Sequence, residues 1–434
     1  MKLYSTRSPQ SFVSLKTAVL QGLPADNGLF MPESIPQLPP ELIREIDQYT
    51  FPEFSYLLTS HLFQGAIPET DLRRIVTQAI HFPAPIVPLS SEIAVLELFH
   101  GPSLAFKDFG ASFMAHLMAY LTRDDDRKLT ILVATSGDTG GAVANGFLGV
   151  EGIEVIILYP SGKVSHLQEL QLTTLGQNIT ALEIEGTFDD CQSLVKQAFL
   201  DATLQSQYRL SSANSINIAR LIPQMFYYFE AYRQLKEVNK PLVYCVPSGN
   251  FGNLTAGLFA QKMGLPVKHF IAATNVNDVV PEYLETGIYR PRPSKRTLSN
   301  AMDVGNPSNF ARMFDLYQGE VDLFRKHLSG YRYNDVQTAA AITEIYHLYR
   351  YIMDPHGAVG YLALKEWQSL HPNTQGIVLE TAHPSKFIDI VESATQTTVS
   401  IPERLACLQS RKKVATLLPP SFAAFKEYLM NSHR

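Results

Sequence analysis

An α/β fold built on parallel sheets is the class that this 434-residue sequence predicts. Three observations carry the expectation. Apolar, β-rich runs recur at 129–134, 153–159, 179–185, 242–246 and 268–273, most of them followed by a helical pattern. Such alternation implies parallel strands with helices on both faces. Two of the runs end directly in a Ser/Gly/Asp/Asn turn that opens a helix, the setting in which open α/β sheets place ligands. Finally, 45% of the residues are apolar and 18% charged, a balance suited to large buried cores in a chain this long.

Taken in order, residues up to about Pro83 show short helical patterns and prolines, among them Pro36–Pro40 and a helix-like stretch over Glu69–Ala79. They read as an amino-terminal domain, 1–84, with Pro83-Ala84-Pro85-Ile86-Val87-Pro88 as the linker into a catalytic domain, 85–434. Next comes Gly101-Pro102-Ser103-Leu104-Ala105-Phe106-Lys107-Asp108-Phe109-Gly110. A lysine among apolar groups loses solvation for its charged form, so its free amine becomes available as a nucleophile able to hold an aldehyde cofactor as a Schiff base. By itself, that pattern equally fits a lysine that snorkels to the surface.

The run Leu129–Ala134 leads into Thr135-Ser136-Gly137-Asp138-Thr139-Gly140, a strand meeting a helix start. Unpaired backbone N–H groups and the positive end of a helix dipole seat a carboxylate or phosphate at such a turn. The same design recurs where Leu242–Val246 meets Pro247-Ser248-Gly249-Asn250-Phe251-Gly252-Asn253. Its glycines allow close approach, and amides with neutral side chains suffice for a phosphate dianion. Neither turn is a nucleotide P-loop, and Gly162-Lys163 is followed by Val164 rather than Ser or Thr. A late strand, Gly376–Leu379, delivers Thr381 to its carboxyl end within Glu380-Thr381-Ala382-His383-Pro384-Ser385-Lys386. Before that, Asn214, Ser215, Asn217 and Arg220 cluster at another helix start. They read either as donors for a phosphate, with Arg220 as a bidentate fork, or as a helix cap beside a surface arginine.

In this order, Phe106-Lys107-Asp108, Ser136-Gly137-Asp138-Thr139-Gly140, Ser248-Gly249-Asn250-Phe251-Gly252-Asn253 and Glu380-Thr381-Ala382-His383-Pro384 resemble the threonine synthase family. That family belongs to the pyridoxal 5'-phosphate enzymes that include the tryptophan synthase β subunit. The likeness runs from Gly28-Leu29-Phe30-Met31-Pro32 to at least Phe387. It implies the tryptophan synthase β-like fold (fold type II): two parallel-rich sheets flanked by helices, a smaller subdomain at about 112–208 inserted in the larger, and an extra amino-terminal domain. The implied activity converts O-phospho-L-homoserine and water to L-threonine and phosphate. Lys107 then matches the catalytic, cofactor-linking lysine. Ser248, Gly249, Asn250, Phe251, Gly252 and Asn253 match the cofactor-phosphate loop, Thr381 the hydroxyl facing the pyridine nitrogen, and Asp138 a neighbour of the ring. Ser136, Gly137, Asp138 and Thr139 match the loop for the substrate carboxylate. Asn214, Ser215, Asn217 and Arg220 match donors for the substrate phosphate; Lys163, in Pro160–Ser165, reads as loop structure and only as a lesser candidate for the same anion. Ser299–Asn309 reads equally as a site lining or as a capped helix start.

A net charge of −5 without a basic cluster argues against nucleic acid. The three cysteines are far apart, and the histidines form no pair at helical spacing, so neither a disulfide framework nor a metal site is expected. No segment has the apolar length of a membrane span and no signal core opens the chain, which points to a cytoplasmic location; a monomer or homodimer is the expected assembly, which the sequence itself does not decide. Two competing readings stand beside this one: a dehydratase-type lyase acting on threonine or serine, and a catalytically retired relative that serves as a binding protein. The first should lack the Asn214–Arg220 cluster, and the second should have lost the lysine or the cofactor loop.

Overall fold

A computed structural model describes residues 1–135 and 137–431. Its centre is a six-stranded sheet in the spatial order Leu328–Arg332, His269–Thr274, Leu242–Pro247, Gln375–Glu380, Ile93–Glu97 and Ile86–Pro88, parallel throughout except for the last strand. A second sheet is five-stranded and wholly parallel: Thr416–Leu418, Ile179–Ile184, Ile153–Pro160, Leu129–Ala134 and Arg209–Ser212.

The continuous apolar runs follow from burial on both faces. In Leu242–Pro247 every residue is buried, and alternation divides them. Tyr244 and Val246 join the core that contains Tyr228 and Phe259, whereas Val243 and Cys245 join the opposite core with Tyr361 and Trp367. Leu129–Ala134 behaves likewise, with Ile131 and Val133 on the first core and Leu132 and Ala134 against Leu194 and Phe425. The helix Lys107–Thr122 is buried along most of its length and packs on the helices Glu69–Ala79 and Asp138–Phe147. It joins the amino-terminal part to both sheets.

The predicted runs at 129–134, 153–159, 179–185, 242–246 and 268–273 are all strands, and the helix over Glu69–Ala79 has the predicted bounds. Two expectations need correction. Part of the expected linker, Ile86–Pro88, is an edge strand antiparallel to Ile93–Glu97. The helix expected to run on from Arg220 is broken, with Ile218–Leu221 separated from Gln224–Gln234 around Pro223, which cannot donate a helical hydrogen bond. The amino-terminal segment also holds an antiparallel sheet, Ser8–Ser14, Lys2–Ser5 and Phe30–Pro32, that its helical patterns concealed. Among the described residues, no helix is long and apolar enough to cross a membrane.

Arg312 ties that small sheet to the site. Its fully buried guanidinium donates from Nε to the Phe30 carbonyl at 3.0 Å, from Nη1 to Asn309 Oδ1 at 2.7 Å and from Nη2 to the Ile216 carbonyl at 2.6 Å. Burial pulls its proton affinity down, to a pKa of about 9. Arg312→Met would leave all three acceptors without that donor, two of them on buried residues, so it is expected to cost roughly 2–4 kcal/mol, read as a lower urea midpoint.

Candidate active site

The carboxyl ends of three parallel strands, Leu129–Ala134, Leu242–Pro247 and Gln375–Glu380, each lead into one of the motifs. Lys107 arrives from a separate loop stitched to the third of them. The Phe106 N–H donates to the Thr381 carbonyl at 2.9 Å, the His383 N–H donates to the Leu104 carbonyl at 3.1 Å, and Ala105 pairs with Ala382. Leu104 adopts φ 58°, a left-handed conformation uncommon for a branched side chain. Buried Asp108 holds the turn by accepting the Ser103 N–H at 2.9 Å, and burial raises its carboxyl pKa to about 6.

Lys107 is thereby fixed as the first residue of its helix. Its Nζ lies 4.0 Å from Asp138 Oδ2. Burial lowers the proton affinity of the amine; Asp138 opposes the shift, while Lys386 and Arg220 add to it. The result is an amine poised to lose its proton, as a nucleophile or base requires. Asp138 opens the helix Asp138–Phe147 after Gly137, whose φ of 144° a side chain would strain. Burial works against its charge, but the Lys386 and Lys107 ammonium groups hold its carboxyl well below the usual range. Lys386 Nζ and Gln168 Nε2 both donate to Asp138 Oδ1, at 2.8 and 2.9 Å. Thr139 is partly exposed beside it, and Ser136 lies outside the described residues.

The turn after Pro247 forms an anion seat. The N–H groups of Gly249, Asn250 and Phe251 donate to no described residue, and Gly252 and Asn253 occupy the first turn of the helix Gly252–Lys262, where N–H groups lack intrahelical acceptors. Phe251 turns the chain through φ 59°, and a Cβ on Gly249 would come within 2.6 Å of the Ala301 carbonyl. Side chains brace this loop: Ser248 Oγ donates to Asn253 Oδ1 at 2.9 Å, and Asn253 Nδ2 donates to the Pro247 carbonyl at 2.8 Å. The Asn253 N–H stays available at the helix start, whereas the Ser248 N–H donates to the Ala273 carbonyl at 3.0 Å, so Ser248 braces the loop by its side chain. Asn250 joins the loop to its neighbours, donating to Ser215 Oγ and accepting the Ser308 N–H at 2.6 Å. Its carbonyl accepts from Asn309 Nδ2 at 3.1 Å, so the 299–309 segment packs on the loop. Asn309 precedes the helix Phe310–Leu316 without a side-chain cap hydrogen bond, its side chain accepting from Arg312 Nη1 instead, so the capped-helix expectation does not hold at that end.

Arg220 is buried. Its Nη1 donates to the Ala213 carbonyl at 2.7 Å, while Nε is buried without a hydrogen-bond partner among the described residues. Among the described residues no carboxylate forms an ion pair with it; burial lowers its pKa to about 10, and the more distant Asp108 carboxylate opposes that shift. The helix-cap-with-surface-arginine alternative therefore fails for Arg220. For Asn217, however, the cap reading is the correct one. This fully buried side chain accepts the Ala219 N–H at 3.0 Å and donates to the carbonyls of Val19 at 2.9 Å and Ser212 at 3.2 Å. Its donors are spent on the fold, which corrects its place among the ligand contacts. Asn214 and Ser215 stand on the same segment, partly exposed. Lys163 follows the strand Ile153–Pro160 in an exposed turn.

These residues fit pyridoxal phosphate: unclaimed amides for its phosphate, a partly exposed lysine of lowered basicity for its aldehyde, and the Thr381 hydroxyl, engaged by no described residue, at the strand end. Lys386, which pattern reading left without a role, is fully buried in this site.

Comparison with known proteins agrees. The family described as "Pyridoxal-phosphate dependent enzyme" matches residues 78–380. The families "Threonine synthase N terminus" and "Threonine synthase, C-terminal" match residues 2–80 and 357–429. The chain is 45% identical to the threonine synthase of Escherichia coli K12, across 99% of this chain and 100% of that protein. The crystal structure of the Escherichia coli threonine synthase superposes with a TM-score of 0.91 at 45% identity, covering 100% of both chains. A pyridoxal-phosphate-bound threonine synthase from Brucella melitensis superposes with a TM-score of 0.95 at 36% identity, again covering 100% of both.

Proposed function

The chain belongs to the threonine synthase family of pyridoxal-phosphate enzymes, and from that membership we propose how its own residues convert O-phospho-L-homoserine and water into L-threonine and phosphate. Pyridoxal phosphate, when bound, supplies an aldehyde for amine capture and an electron sink joined to the α carbon. The unclaimed amides from Gly249 to Asn253 hold its phosphate, and Thr381 meets its ring nitrogen with a neutral hydroxyl. The helix start at Gly137–Thr139 receives the substrate carboxylate, and Arg220 with Asn214 and Ser215 receives the substrate phosphate.

Lys107 takes the proton from the α carbon, which its lowered proton affinity favours, and later returns it. Between those events the β carbon loses a proton, the γ carbon loses phosphate and gains a proton, and water delivers hydroxyl to the β carbon. The remaining proton of water leaves with phosphate, so the equation balances. Arg220 stabilises the charge that develops on the departing group.

One observation carries the choice of a phosphorylated substrate: a buried guanidinium whose Nε has no hydrogen-bond partner and which forms no ion pair among the described residues, with Asp108 as a more distant counter-charge. Such a group has a strong demand for an anion. The test is to incubate the holoenzyme with O-phospho-L-homoserine and measure phosphate and threonine together. Equal amounts are expected. Phosphate with 2-oxobutyrate in place of threonine would assign a dehydratase-type lyase, and no phosphate release would remove the Arg220 role.

Gly110 gives a further prediction. A Cβ there would lie 2.8 Å from the Arg220 carbonyl oxygen and 2.9 Å from its Nε. Gly110→Ala must displace Arg220, so kcat/KM is expected to fall at least about tenfold, with a stability loss of about 1–3 kcal/mol from overpacking. We further assign residues 1–84 to an amino-terminal domain and 85–434 to the catalytic domain, with the smaller subdomain at about 112–208. The strand Thr416–Leu418 reaches back to complete the subdomain's sheet. A cytoplasmic location and a monomeric or homodimeric state complete the reading, the latter decided by light scattering.

A further inference from the structure

Asp138 is gripped unevenly. Both Lys386 Nζ and Gln168 Nε2 donate to its Oδ1, at 2.8 and 2.9 Å, while its Oδ2 faces Lys107 at 4.0 Å. Two donors on one oxygen fix the rotation of the carboxylate and leave the other oxygen for the catalytic amine. The Lys386 side chain is fully buried, and a buried ammonium needs a counter-charge. Its position is set locally. Lys386 lies in the short turn Pro384–Phe387, where His383 Nδ1 accepts the Ser385 N–H at 3.1 Å, immediately after Thr381. One loop thus brings both a hydroxyl and a cation to the site.

We propose that Lys386 is a positioning residue for Lys107: it holds Asp138 by Oδ1 as an ionised, oriented acceptor whose Oδ2 receives the Lys107 amine without locking a proton on it. This rests on the reading of Lys107 as the catalytic lysine. A lone Asp138 carboxylate would favour the protonated amine, and a lone Lys386 could not stay buried as a cation. Paired, they present nearly no net charge but a directed acceptor. The charges facing Lys107 are Asp138, Lys386, Arg220 and Asp354. Asp108 and His383 also feel the Lys386 charge.

The test follows the protonation of Lys107 in the full-length chain freed of cofactor, by competitive amine labelling against pH with peptide mass detection. In Lys386→Met the midpoint for Lys107 should rise by about one pH unit or more, because Asp138 acts on it unopposed. In Lys386→Arg, which keeps the charge, the midpoint should stay close to that of the native chain. A folded Lys386→Met variant with an unmoved midpoint overturns the proposal. Should that variant fail to fold, the comparison is made on an Asp138→Asn background, where the pair is removed together. There the route through Asp138 is gone, so removing Lys386 should leave the Lys107 midpoint close to that of Asp138→Asn alone, and a rise of about one pH unit or more would assign Lys386 a direct charge effect and overturn the proposal. Borohydride fixation of pyridoxal phosphate in the holoenzyme tests the premise separately. An adduct on a residue other than Lys107 removes the premise, whereas an adduct on Lys107 with an unmoved midpoint in Lys386→Met removes only the role of Lys386.

Discussion

Replacing Lys107 with alanine is expected to lower threonine formation by at least about 10³-fold, since it removes both the covalent anchor and the base at the α carbon. The fold should survive. Alanine is a good first-turn residue for the helix Lys107–Thr122, and Asp138 keeps its ion pair with Lys386 at 2.8 Å, so no carboxylate is stranded. Stability should even rise at neutral pH, for a definite reason. The amine's pKa in the folded chain is lowered by burial, so the folded state holds its proton less tightly than the unfolded chain does. The burial cost is full below the folded pKa and disappears as pH rises toward the ordinary lysine value of about 10.4. Melting temperatures of the native and Lys107→Ala chains should therefore differ more near neutral pH than near pH 10. Threonine formation retained within tenfold of native would sink the assignment of Lys107.

Much of this site was legible from the sequence because its parts are local. Each anion seat is a strand, a turn and a helix start contiguous in sequence, and each central strand is apolar throughout because both its faces are covered. What escaped was short, half-exposed or distant. Lys2–Ser5 and Ser8–Ser14 carry mixed polar residues with no clean alternation, and the latter is mostly exposed. Thr416–Leu418 is an edge strand of three residues that joins its sheet from the far end of the chain. Lys386 meets Asp138 across 248 positions, and Arg312 meets Phe30 across 282, separations that no local pattern encodes. Asn217 failed for the opposite reason. An asparagine at a helix start satisfies the cap and the ligand-donor patterns alike, and only its contacts with Val19 and Ser212 decide between them.

Arg220→Met is expected to reduce kcat/KM for O-phospho-L-homoserine about 10- to 100-fold, the range for losing a charge-assisted hydrogen bond to an ionised group. Two features of the site set the form of the effect. The Nε–H has no partner among the described residues, so substrate phosphate displaces none of them when it binds, and its removal should appear strongly in KM. The same guanidinium stabilises charge on the departing phosphate, so kcat should fall as well, although less than in Lys107→Ala. Inhibition by inorganic phosphate should weaken in step with the rise in KM. Arg220→Lys should rescue only partly, because an ammonium offers a point charge in place of a planar fork. Its shorter reach also abandons the contact between Nε and the Gly110 surface, where the native guanidinium lies against a residue without a side chain. A methionine variant with unchanged KM and unchanged phosphate inhibition would place the substrate phosphate elsewhere and leave the unpartnered Nε without an anion. The lysine variant separates the remaining alternatives: full rescue would mean that Arg220 contributes charge alone, while partial rescue with a raised KM is the result expected of a fork that reads the phosphate by shape as well as by charge.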